Sequence, residues 1–86
     1  MGFHKRYIND AQVISIYQKH GCLGVIDWFT KGADAIITSG KLAMDVRNLM
    51  NILPYEPKRA VARIHKVIAD YVFNNNMKVD IYIKGT

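Results

Sequence analysis

The sequence predicts a mainly α fold of about four helices with a small antiparallel β element, folded as one compact α+β domain over residues 1–86. Three observations carry that expectation. Apolar residues recur at helical spacing through most of the chain. Residues that end helices, Gly21, Gly32 and Pro54, fall between those stretches. The tail, NNNMKVDIYIKGT, then switches to strict alternation, with Val79, Ile81 and Ile83 on one face and Lys78, Asp80, Tyr82 and Lys84 on the other.

The opening MGFHKRYI reads as a short strand, a basic arm or a first helical turn. Asn9 and Asp10 signal a helix start, because either side chain accepts from an orphan backbone N–H. Val13, Ile14, Ile16 and Tyr17 form the stripe of that first helix, and Lys19, His20 and Gly21 end it. A second short helix is expected in LGVIDWFTK, with Val25, Trp28 and Phe29 on one side and Gly32 as its stop. ADAIITSG fits either another helical turn or a short buried stretch.

Ser39 is placed to cap a third helix, GKLAMDVRNLMNIL, whose stripe is Leu42, Val46, Leu49, Met50 and Leu53 and whose stop is Pro54. Pro57 suits the first position of the fourth helix, with Glu56 at the positive end of its dipole. Val61, Ile64, Val67, Ile68, Tyr71 and Val72 are its expected core face, and Asn74, Asn75 and Asn76 its end. The terminal strand needs a partner for its backbone groups. The N-terminal Gly2–Ile8 segment is the internal candidate, and the same strand of a second copy is the external one.

With 86 residues the chain buries only about 60–65% of its unfolded surface, which makes marginal stability the expectation. A hydrophobic content of 50% argues for a real core. The single cysteine, Cys22, permits no internal disulfide and points to a reduced thiol in the cytoplasm. No apolar stretch suits a bilayer or a secretion signal, and Arg6 stands where a myristoylation signal needs Ser or Thr. A cytoplasmic protein with no membrane contact is expected.

The net charge of +5 favours polyanions and acidic surfaces as partners. On the last helix Arg59, Arg63 and Lys66 are four and three residues apart and share a face, with Lys58 and His65 close to it. Such a row can engage phosphates or carboxylates bidentately. His4, Lys5 and Arg6 add an arm. The bland alternative is a solvated helix face, with Asp70 neutralising part of it from four residues beyond Lys66.

Other motifs fit badly. A helix-turn-helix in ISIYQKHGCLGVIDWF meets Tyr17 where a small residue is needed, and the gap from Gly21 to Val25 is about two residues short. Its second helix would offer only Asp27, Thr30 and Lys31 to base edges. TSGKL lacks the phosphate-loop pattern, since Ala35 and Leu42 replace the required Gly and Ser or Thr. His4, His20 and His65 are scattered and lack metal-ligand spacing. Nothing orients a Cys22–His20 or Cys22–His65 nucleophile pair, and the carboxylates are few and dispersed. The expectation is therefore no catalytic residue, no metal and no cofactor.

Trp28, Phe29, Tyr71 and Phe73 read as core, yet VIDWF, Met44 and Phe73 together exceed what so small a domain can bury. That surplus predicts an exposed apolar patch or an oligomer interface, with Trp28, Phe29 and the terminal strand residues Val79, Ile81 and Ile83 as its candidates. Two functions follow. One is a basic module that contacts nucleic acid or its machinery. The other is a protein–protein adaptor or inhibitor, with a homodimer as one form of it, of the accessory kind that viruses encode; that comparison is an analogy.

Overall fold

Two short strands and three helices follow one another in the order β1 (Arg6–Ile8), α1 (Asp10–Thr30), β2 (Ile36–Thr38), α2 (Lys41–Leu49) and α3 (Pro57–Asn74). The computed structural model describes residues 6–31 and 36–78. The expected terminal strand, with Val79, Ile81 and Ile83, lies outside the described residues.

The start of α1 is where the sequence puts it. Asn9 Oδ1 accepts from the Gln12 N–H at 2.9 Å, and Gln12 Oε1 accepts from the Asn9 N–H at 3.0 Å, a reciprocal capping box. The two expected helices on either side of Gly21 are one element with a kink. Gly21 has φ 73° and ψ −170°, a conformation essentially reserved for glycine. The kink re-phases the apolar stripe. Val13 and Tyr17 are buried before it, and Cys22, Val25 and Phe29 after it. The five-residue step from Tyr17 to Cys22 would rotate a continuous helix about 140° away from the core. The break at Gly21 returns both halves to one core.

The sheet corrects the expected pairing. Among the described residues β1 pairs with β2, and the pair is parallel rather than antiparallel, with Arg6 opposite Ile36, Tyr7 opposite Ile37 and Ile8 opposite Thr38. The connection suits this. An antiparallel pair closes through a short turn, whereas a whole helix lies between these strands, and such a crossover brings the second strand back in the same direction. The Ser39 N–H donates to the Ile8 carbonyl at 3.0 Å and extends the ladder. Ile8 and Ile36 are buried, and Tyr7 and Ile37 face outward.

Ser39 is not the cap of α2. The cap position is Gly40, at φ 93°, and it has no side chain to offer. Instead the Asp10 carboxylate reaches across from the first turn of α1 and accepts from the Ala43 N–H at 2.9 Å. One carboxylate thus sits near the positive ends of two helices. A Cβ at residue 40 would overlap that carboxylate. Farther along, Arg47 Nη1 donates to the Ile36 carbonyl at 2.8 Å, tying α2 to β2.

α2 is shorter than expected. It ends at Leu49, and the following N–H groups of Asn51, Ile52 and Leu53 reach back only three residues, at 3.1, 3.2 and 3.3 Å. The chain tightens there ahead of Pro54. α3 begins with Pro57 in its first turn. Ala60, Ile64, Ile68 and Val72 form its buried line, with Val61, Val67 and Tyr71 half-buried beside it. Each isoleucine contributes about 1.5–3 kcal/mol by leaving water. The helix ends in a Schellman motif. The Asn76 N–H donates to the Phe73 carbonyl at 3.2 Å and the Met77 N–H to the Val72 carbonyl at 3.0 Å, with Asn76 left-handed at φ 52°.

The assembled core joins Ile8, Tyr17, Leu42, Val46, Ile64 and Ile68, all nearly or fully inaccessible. Among the described residues no charged side chain is buried.

Candidate anion-binding face

The core line of α3 fixes what its other side shows to solvent. At about 100° per residue, Arg59, Arg63 and Lys66 point away from Ala60, Ile64 and Ile68. All three are exposed, as is Lys58 in the first turn. Two of the cations are paired. Arg59 Nη1 lies 3.4 Å from Glu56 Oε1, and Lys66 Nζ lies 3.0 Å from Asp70 Oδ2. Both pairs are more than half exposed, so each holds its cation by at most about 1 kcal/mol. Lys58 and Arg63 form no ion pair among the described residues. The face therefore carries four cations against two carboxylates, and its pairs exchange readily for a stronger anion.

His65 leaves this face. Its Nδ1 meets the Tyr17 hydroxyl at 2.8 Å, and the two rings pack at 5.9 Å between centroids. It belongs to the contact between α1 and α3. His4 and Lys5 lie outside the described residues, and Arg6 is the first residue of β1. The expected apolar site also divides. Phe29 is 5% exposed and serves the core, which corrects its placement at an interface, while Trp28 is half-buried against the same core.

Other aromatics are exposed, Tyr7 on β1 among them. Phe73, expected in the core, is 74% exposed, and Tyr55, in the turn before α3, is 83% exposed. Phe73 continues the basic row, since residues 59, 63, 66, 70 and 73 are spaced four, three, four and three apart. That phase was readable in the sequence. The default assignment of aromatics to the core hid it.

A groove of about 490 Å³ opens between α2 and α3, lined by Lys41, Leu42, Asp45, Val67, Asp70 and Tyr71 among others. It carries one cation, Lys41, against two carboxylates, Asp45 and Asp70, and so does not extend the basic face. Cys22 is fully buried, its Sγ 3.9 Å from the Val61 carbonyl, and burial pushes the thiol up to about 11 from its usual 9.0. Among the described residues no cluster of His, Cys, Asp and Glu is arranged to hold a metal ion, and no helix is long and apolar enough to cross a membrane.

No family model, no curated protein and no solved structure matches the chain.

Proposed function

We propose that this protein is a small, non-enzymatic binding module that contacts nucleic acid, or the machinery bound to it, through the outer face of α3. The observation that carries this reading is the row Arg59, Arg63 and Lys66, with Lys58 beside it, on the solvent side of a helix whose other side is core. The face takes its rigidity from Ile64 and Ile68 beneath it. Arg63 has no competing carboxylate among the described residues. The net charge of +5 adds a long-range bias toward polyanions. The lone buried cysteine suits a reducing cytoplasm.

Phosphate binding releases condensed counterions, so affinity must fall with salt, with a log–log slope of about −0.9 per phosphate engaged on duplex DNA. A titration of DNA and RNA at increasing salt tests the proposal. The expected result is binding at low salt with a slope of roughly −3, which Arg63→Ala makes shallower by about one unit. No binding at low salt, or binding indifferent to salt, rejects it.

A second reading has its own observation. Tyr7, 63% exposed, and Ile37, 39% exposed, are cross-strand neighbours on the outer face of the β1–β2 pair. Exposed apolar pairs of this kind suit a protein–protein adaptor or inhibitor, or self-association as a homodimer. Sedimentation of the chain alone and of Tyr7→Ser separates this reading from the first: a dimer lost in the variant favours the adaptor.

A further inference from the structure

We infer that the nucleic acid engaged by α3 is single-stranded, with phosphates held by Lys58, Arg59 and Arg63 and unstacked bases laid on Phe73 and Tyr55. This rests on the nucleic-acid reading above and narrows it. Two rings at the ends of this face stand outside the core. Phe73 and Tyr55 are 74% and 83% exposed and so contribute little to the core. They bracket the basic row, Tyr55 just before α3 begins and Phe73 about two turns beyond Lys66 in the same helical phase. From Arg59 to Phe73 the helix rises about 21 Å, a length of face on which three cations are followed by Asp70, paired with Lys66, and then by the ring.

The position of Phe73 is well determined. Its carbonyl accepts from the Asn76 N–H in the Schellman motif, so its backbone is fixed at the helix end while its ring stays in water. The chemistry selects the ligand. Duplex DNA hides its base faces, and phosphate contacts alone make no use of an aromatic ring. Single strands offer both a charged backbone and free base faces, and a cationic track with stacking rings is how sequence-tolerant binders hold them. An acidic protein surface matches the cations equally well but offers no ladder of flat rings to Phe73 and Tyr55.

The test is fluorescence anisotropy on the full chain with three labelled probes: oligo(dT), the same strand annealed to oligo(dA), and polyglutamate. The expected order of affinity places oligo(dT) first. Phe73→Ala and Tyr55→Ala each weaken oligo(dT) binding roughly 5-fold or more and leave its salt slope unchanged. Phe73→Leu, apolar but without a ring, weakens it as Phe73→Ala does. Both side chains are exposed, so unchanged circular dichroism confirms that the variants fold. Equal or tighter duplex binding, or aromatic variants that bind oligo(dT) like the wild type, overturns the single-strand inference and leaves the nucleic-acid reading standing. Polyglutamate bound in preference to both nucleic acids, or no binding to any probe, overturns both.

Discussion

Tyr17 and His65, far apart in the chain, meet through a 2.8 Å hydrogen bond that joins α1 to α3. Tyr17 is the largest of the fully buried side chains, and its hydroxyl needs a partner wherever it lies in the core. His65 supplies one from the edge of the face that carries the arginines. Tyr17→Phe is expected to cost about 0.5–1.5 kcal/mol in urea denaturation, and Tyr17→Ala about 3–5 kcal/mol because it also empties a cavity. A double-mutant cycle of Tyr17→Phe with His65→Ala should show coupling above about 0.5 kcal/mol. Strict additivity would remove the hydrogen bond from the account.

Asp10 and Gly40 form a second joint. Asp10→Ala removes the acceptor of the Ala43 N–H and should destabilise the fold by about 0.5–2 kcal/mol, the usual loss for a helix cap. Asp10→Asn keeps an acceptor and should cost less. Gly40→Ala meets both its φ of 93° and the Asp10 carboxylate, so about 1–3 kcal/mol is expected, part of it recovered when Asp10→Ala is combined with it. Additive losses in guanidinium titrations would show that the two residues do not share a contact.

Gly21→Ala should cost about 1–3 kcal/mol, because only glycine adopts φ 73° with ψ −170° readily. The alternative for the variant is a straight helix, which would turn Cys22, Val25 and Phe29 off the core. A variant with unchanged melting temperature would show that the kink is not needed to align the two halves.

Cys22 predicts a pH dependence. The folded thiol is raised from 9.0 to about 11, so the native state holds its proton where the unfolded chain releases it. The stabilisation is fully present below pH 9 and is lost as pH rises from 9 to about 11, at about 1.4 kcal/mol per pH unit. Lysines and tyrosines titrate in the same window, so the comparison is with Cys22→Ala. The wild type should lose stability more steeply over that interval, and parallel curves would contradict the assignment. Native Cys22 should also react with thiol reagents only as fast as the domain opens.

Local features were legible in the sequence. Asn9 with Gln12, Pro57, Asn76 and the line Ile64, Ile68, Val72 each act within a turn or two of themselves, so spacing alone reveals them. The basic row was legible for the same reason. The parallel pairing was not. RYI and IIT are too short to carry a period, and their pairing spans thirty positions. The cap of α2 was hidden too, because Asp10 acts at Ala43 only after the fold brings them together. Residue type reads Phe73 as core while the apolar surplus also counts it, and its phase would have decided between the two.

The joining of residues 6–10 to residues 36–43 also sets an order on synthesis. Synthesis runs from the N-terminal side, so β1 and Asp10 emerge before the partners they pair with, residues 36–38 and Ala43. Ile8, inaccessible in the finished domain, is exposed throughout that interval. The helices can begin to form from local contacts as they appear, whereas closure of the β1–α1–β2 unit cannot precede emergence of Thr38. Within this domain β1 is thus made before α1 and β2 yet secured only after both, and nascent-chain chaperones have a long opportunity there.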